Sequence, residues 1–367
     1  MKIISTCDAG DKITSNEAFL SRVLKYGVKN VDRIHSLDGL RAFAIVLVLL
    51  QHLYSSKTIP VLDYLWRFDL LGDIGVRVFF VISGFLITTL LRREYVKNGA
   101  INLRNFFFRR MLRIWPAYYA LLLVVVAGGM LSTQQFEFRN IVGPVFFLTN
   151  YVGAPMSLGH TWSLAVEEQF YLLWPFLLVA LGWRRAPLLV LLFCVLAPVL
   201  RGVASMSEIT PPVLWARFEN AGDAIGWGCL YALILERWTL PKLLPIKSAF
   251  CAIAAIGALL GMSMFSIWPF AWNIMGTVLA NLLIVLLIHF ALDADGTFVY
   301  WALNNFVARS IGLLSYSLYL WQQVFIYGDF KLGAPFNLMA ITAAATLSYF
   351  LIEKPFLRLK DHLERLV

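Results

Sequence analysis

Charge is what this 367-residue sequence has least of: Asp, Glu, Lys and Arg make up 14% of it, against 60% apolar residues. A soluble globular domain carries roughly a quarter of its residues as charges, so that class is excluded. Acidic residues are scarcer than basic ones, 22 against 31, leaving a net charge of +9. Only four cysteines occur, Cys7, Cys194, Cys229 and Cys251. They show neither the close pairing of a metal site nor a secreted disulfide framework, and three fall in or beside apolar runs, as small packing residues do. Internal repeats, low-complexity tracts and a Pro/Ser-rich linker are missing, as is any basic stripe interleaved with aromatics, so no nucleic-acid partner is expected. Residues 1–30 lack the apolar core of a secretory signal peptide, so the first hydrophobic run is expected to remain as a signal anchor.

What is present is long apolar runs. They recur from residue 37 to residue 352, each long enough to cross a hydrocarbon core of roughly 30 Å as a helix. The runs 37–55, 70–91, 111–131, 160–182, 187–203, 212–235, 248–267, 271–291, 308–327 and 335–352 predict an all-α polytopic bundle of about ten transmembrane helices. The run 141–152, IVGPVFFLTNYV, is short and contains Pro144; it reads as a re-entrant or half-buried segment, an eleventh crossing being the alternative. Residues 15–27 place Phe19, Leu20, Val23 and Leu24 on one stripe between a Ser cap and Gly27, which predicts a short helix on the inner membrane surface.

Basic residues set the orientation, because short loops rich in Lys and Arg stay on the cytoplasmic side. Residues 92–113 carry Arg92, Arg93, Lys97, Arg104, Arg109, Arg110 and Arg113 against Glu94 alone. Arg184 and Arg185, then Arg237, Lys242 and Lys247, then Lys354, Arg358, Lys360 and Arg365 fall on the same side if ten spans alternate. Both termini are therefore expected in the cytoplasm, with a cytoplasmic segment 1–36, a transmembrane domain 37–354 and a cytoplasmic tail 355–367.

Ionisable groups inside spans face protein, water or a partner, which makes each a site candidate. Arg41 and His52 are eleven positions apart, about 1100° of helical rotation and so nearly one face. Asp38, one turn earlier, either caps the helix or neutralises Arg41. In HTWSLAVEEQFYLLWP, His160, Ser163, Glu167 and Tyr171 share one side and Glu168 points elsewhere. Such a row is costly to bury unless it lines a polar cavity. Asp73 with Arg77, at i,i+4, reads as a packing pair as readily as chemistry, and so do Arg217, Glu219 and Asp223. His289, alone in an apolar run, reads as a core histidine. On composition alone Arg109, Arg110 and Arg113 are topology anchors.

A neutral imidazole near a carboxylate can take a proton from an alcohol, and guanidinium groups pair with phosphate. Acyl transfer from a coenzyme A thioester fits that equipment, and so does a proton-coupled transporter or flippase of a lipid-linked glycan. The strings LDGLRAFAIVLVLLQHLY, GVRVFFVISGFLITTLLRRE, FFFRRMLRIWPAYY, HTWSLAVEEQFYLLWP, SYSLYLWQQ and FLIEKPF, in that order, resemble the motif set of the bacterial integral-membrane acyltransferase family 3. The resemblance covers residues 37–356. It implies O-acylation, most often acetylation, of sugar hydroxyls on a surface or exported glycan or glycolipid, with acetyl-CoA as donor and the bacterial inner membrane as location. It places the family's essential Arg and His on Arg41 and His52, its basic motif on Arg110 and Arg113 with Arg109 adjacent, and its acidic motif on Glu167 and Glu168, preceded by His160. On that footing Arg109, Arg110 and Arg113 hold the coenzyme A phosphates, His52 is the general base, Arg41 its structural or charge-stabilising partner, and Glu167 orients a histidine or the acceptor. Some members carry a fused periplasmic hydrolase-like domain; these 367 residues leave no room for it, so such a partner is expected either on another polypeptide or to be dispensable.

Overall fold

The computed structural model describes residues 35–57, 70–131, 139–206, 214–237, 248–265, 272–292, 298–328 and 330–366. The expected surface helix at 15–27 and Cys7 lie outside these. Every regular element among the described residues is helical. Among the described residues six helices are long and apolar enough to cross a membrane, and the longest of them covers two of the expected spans.

Helix α1 is His35–Ser55, α2 Leu71–Asn98 and α3 Leu103–Leu131. Gly99 ends α2 in the left-handed region (φ 73°), its N–H bonded to the Tyr95 carbonyl at 2.8 Å, a conformation a Cβ would strain. Only four residues separate α2 from α3. The third span thus begins at Leu103 rather than near 111, because Leu103, Phe106, Phe107 and Phe108 extend its apolar surface past the arginines. Arg109 and Arg110 accordingly lie within the helix, as Arg113 does, rather than before it.

Two short helices follow, α4 Arg139–Val145 and α5 Thr149–Val152, with Ile141, Gly143, Pro144, Phe147, Thr149 and Asn150 buried. Neither can cross a bilayer, so this stretch is a half-buried segment. It is held by the Tyr118 hydroxyl, which donates to the Pro144 carbonyl at 2.7 Å, and by Gln169, which exchanges bonds with Asn150 at 2.9 and 3.1 Å.

Helix α6, Thr161–Met206, runs for 46 residues, about twice the length a bilayer needs. It breaks at Gly182, whose φ of 73° and ψ of 165° are not helical, so the two spans expected at 160–182 and 187–203 meet at a single residue. Helix α7 (Phe218–Ala221) and α8 (Asp223–Arg237) replace the single expected run from 212; the polar residues Asn220 and Asp223 are buried at their junction. Then come α9 (Ser248–Phe265), α10 (Thr277–Leu292, entered through a π turn), α11 (Phe298–Asn304), α12 (Phe306–Ile326) and α13 (Phe336–Ser348). The chain continues through a π-helical turn, Tyr349–Glu353, into α14, Lys354–Leu366. Residues expected as a tail are therefore helical, with apolar Phe356 and Leu359 exposed beside Lys360 and Arg358.

Helix α2 packs most extensively against α8, and α1 against α12 and α2. Small residues allow this. A Cβ on Gly84 would overlap the Ile225 carbonyl, one on Gly228 the Val81 carbonyl, and one on Gly312 the Asp38 carbonyl. Close backbone approach of this kind is how helices associate when burial from water does not drive them. Outward, large apolar side chains such as Leu123, Leu172, Leu188 and Val203 are exposed, as a lipid-facing surface requires.

Candidate functional site

Helices α1, α2, the first half of α6 and α12 enclose a seam of polar side chains. At one end, Asp38 accepts from the Arg41 guanidinium at 3.2 Å, so the open question at Asp38 resolves toward neutralising Arg41. Arg109 is held by Glu94 at 2.7 Å. Arg110 does not join it; its guanidinium lies over the rings of Tyr171 (5.0 Å) and Phe106 (5.7 Å), within electrostatic reach of Glu167 and Glu168. Arg113 lies ten residues into α3 and is exposed, about 15 Å from the helix start. It acts electrostatically on Arg41 and on Glu353. An exposed arginine so far along a spanning helix opens onto water or onto a charged ligand rather than lipid.

Midway, the helical row read from sequence is assembled as expected. Ser83 of α2 donates to Glu167 at 2.6 Å, while Glu168 turns away and accepts from the Trp115 indole at 3.1 Å. Ser163 contacts the Tyr319 hydroxyl at 2.6 Å, and Tyr319 donates to the His160 carbonyl at 2.9 Å. Glu353 receives the Ser317 hydroxyl.

At the far end a cavity of about 680 Å³ opens, lined in part by His52, His160, Tyr319, Gln323, Trp162 and Trp215. The two imidazoles come from different helices and are bridged by one amide. Gln323 Oε1 faces both the backbone N–H of His160 (2.9 Å) and its Nδ1 (3.0 Å), while Gln323 Nε2 faces His52 Nε2 at 3.3 Å. His52 Nδ1 meets Gln322 Oε1 at 3.0 Å, and the His52 carbonyl accepts from Tyr327. The two histidines singled out in the sequence thus line one cavity, whereas Gln322 and Gln323, which touch them, are not among the residues the sequence singles out. Two adjacent amides inside the apolar string SYSLYLWQQ were the available signal.

The floor of the cavity is a network of ion pairs. Asp73 binds Arg77 at 2.9 Å, and Arg77 reaches Asn281 at 3.4 Å. Asn281 donates to Asp223 at 3.3 Å. Asp223 in turn accepts both arms of Arg201, at 2.8 and 3.0 Å. Arg201 also donates to the Asn273 and Asn220 carbonyls and to Thr277. Asp223 stands close in sequence to Arg217 and Glu219, but its partner is Arg201, in the second half of α6. Arg217 and Glu219 stand 4.0 Å apart and part-exposed. His289 is buried and bonded to the Tyr231 hydroxyl at 3.0 Å, a core histidine.

These features define a multi-pass helical membrane protein with a polar working interior. Its family follows from comparison: residues 34–352 match the model described as the acyltransferase domain, and the chain belongs to that family. It is 31% identical over 333 residues to the peptidoglycan O-acetyltransferase OatA of Listeria monocytogenes, covering 82% of this chain and 50% of that protein. It is 27% identical over 364 residues to a putative peptidoglycan O-acetyltransferase, YrhL, of Bacillus subtilis, covering 88% and 54%. A putative O-acetyltransferase of Staphylococcus aureus is 38% identical over 167 residues, 42% of this chain and 26% of that one. The chain thus spans about half the length, or less, of the curated relatives it matches. No solved structure matches it.

Proposed function

We propose that this chain transfers an acetyl group from acetyl-CoA to a hydroxyl of a glycan, with peptidoglycan or a related surface glycan as acceptor, across a bacterial cytoplasmic membrane in which both termini face the cytoplasm. The observation that carries the reading is the seam itself: an exposed arginine, Arg113, opens one end, and a histidine-lined cavity closes the other. Arg113 and Arg110 are available to the donor's phosphates, whereas Arg109 is engaged by Glu94. Arg41, neutralised in part by Asp38, lies where the thioester arm enters, and Glu167 holds the middle of the seam through Ser83. The acceptor occupies the cavity, where Trp162 and Trp215, 4.8 Å apart, offer aromatic faces to a sugar ring.

The acceptor hydroxyl oxygen attacks the thioester carbonyl carbon as its proton passes to an imidazole. A C–O bond forms and the C–S bond breaks. The coenzyme A thiolate leaves and recovers the proton from the imidazolium, so the histidine is regenerated. Orientation supports this division of labour, since the basic loops mark the donor side under the positive-inside rule.

Enzyme in membrane vesicles, given labelled acetyl-CoA on the basic-loop side and a glycan on the other, should leave label covalently on the glycan. Movement of glycan without a gain of one acetyl would replace this reading with transport. Label transferred equally well with acetyl-CoA supplied only on the cavity side would reverse the orientation.

A further inference from the structure

We propose that His160 Nε2, rather than His52, takes the proton from the acceptor hydroxyl, and that Gln323 is the positioning residue that makes that nitrogen available. The proposal rests on the acyl-transfer reading above and deepens it. A backbone N–H can only donate, so the Gln323 atom that meets the His160 N–H at 2.9 Å is the oxygen. The same oxygen lies 3.0 Å from His160 Nδ1, which must therefore carry hydrogen to bond with it. In the neutral ring the lone pair is then on Nε2.

That nitrogen is buried and makes no hydrogen bond of normal geometry, in a residue that is 2% exposed and lines the cavity, although the Leu320 carbonyl also acts on the ring. A buried polar atom left unpaired in a protein is unusual, and a reaction partner is one explanation for it. His52 is placed differently. With the Gln323 oxygen fixed toward His160, its NH₂ group faces His52 Nε2 at 3.3 Å, which occupies that lone pair. His52 Nδ1 then donates to Gln322 Oε1 at 3.0 Å. Both nitrogens of His52 are engaged, and the ring is packed edge-on to Tyr327. One amide thus sets both rings to the Nδ1–H form, with opposite results: it spends the lone pair of His52 and leaves that of His160 unpaired.

The test uses the full chain in detergent or nanodiscs, labelled acetyl-CoA, and two glycan probes: an N-acetylglucosamine oligosaccharide and solubilised peptidoglycan strands. His160→Asn keeps an amide donor where Nδ1 stood and removes Nε2; kcat should fall by about 10²–10⁴. His160→Asn retaining the wild-type rate overturns the assignment, as does a fall seen only in His52→Asn. Gln323→Leu should lower kcat with little change in the acetyl-CoA KM. Folding is checked by monodisperse elution and melting temperature.

A readout independent of activity is ¹⁵N–¹H correlation in histidine-labelled protein. His160 is expected as the Nδ1–H form, changing in Gln323→Leu; an Nε2–H ring in the wild type overturns the proposal. Absence of transfer to either glycan by the wild type would instead sink the proposed function, and the ring signals would still report whether Gln323 sets the tautomer.

Discussion

Replacing Asp223 with Ala should expose how much the cavity floor depends on one carboxylate. Arg201 is 6% exposed and Asp223 is wholly buried, and the carboxylate receives both guanidinium arms as well as the Asn281 amide. Hydrogen bonds to charged groups contribute about 1.5–3 kcal/mol each. Stranding a buried charge by removing its partner costs about 3–5 kcal/mol, less than the sum of the bonds because the remaining carbonyls and Thr277 still hold Arg201. At roughly 2 °C per kcal/mol for a long chain, the melting temperature should drop by about 6–10 °C. The double replacement Arg201→Met with Asp223→Leu removes both charges and should recover most of that loss, since an apolar pair of similar volume is often neutral or stabilising. The assay is thermal unfolding of detergent-solubilised protein, followed by size-exclusion fluorescence. An Asp223→Ala protein melting within about 2 °C of the wild type, or a double variant no better than the single one, would refute the reasoning.

Three other outcomes follow from the geometry. Arg110→Ala and Arg113→Ala should each raise the KM for acetyl-CoA about tenfold, the equivalent of roughly 1.4 kcal/mol, while Arg109→Ala, whose side chain is held by Glu94, should change it far less; equal effects in initial-rate kinetics would count against this division. Gly84→Leu should yield aggregated protein on size exclusion because its Cβ overlaps the Ile225 carbonyl, whereas Gly257→Ala, with nothing within 4 Å, should elute as wild type. His289→Phe should cost about 1 kcal/mol of stability through the lost Tyr231 bond and leave acetyl transfer at the wild-type rate.

The helical positions were legible because lipid imposes a length and an apolar composition on every crossing. Angular arithmetic on α6 also succeeded: Glu167 and Glu168 do diverge, toward Ser83 and Trp115. Partner choice was not legible. Asp223 was set beside its sequence neighbours Arg217 and Glu219, yet it pairs with Arg201, 22 residues away. Local spacing reports which groups share a helix face but not which other helix comes to meet them. The same limit hid Gln323, whose role depends on a histidine 163 residues distant. Boundaries failed where amphipathic sequence extends a helix beyond the hydrocarbon, as at Leu103, and where buried polar residues break one, as at Asn220.

The Gly182 break serves as a ruler. It is followed by Trp183, Arg184 and Arg185, and Arg92 at the end of α2 lies 5.1 Å from the Trp183 ring, which pins two helix ends at one level. Counted back along α6, Tyr171 is 11 residues from the break, Glu167 15 and His160 22; at 1.5 Å per residue these are depths of about 16, 22 and 33 Å. The imidazole therefore lies a full hydrocarbon thickness from the basic surface, with Arg110 and Tyr171 at half-depth. On the proposed reading a polymer too large to cross need not move at all, since only two carbons would make the journey, carried up the seam on the end of a slender arm.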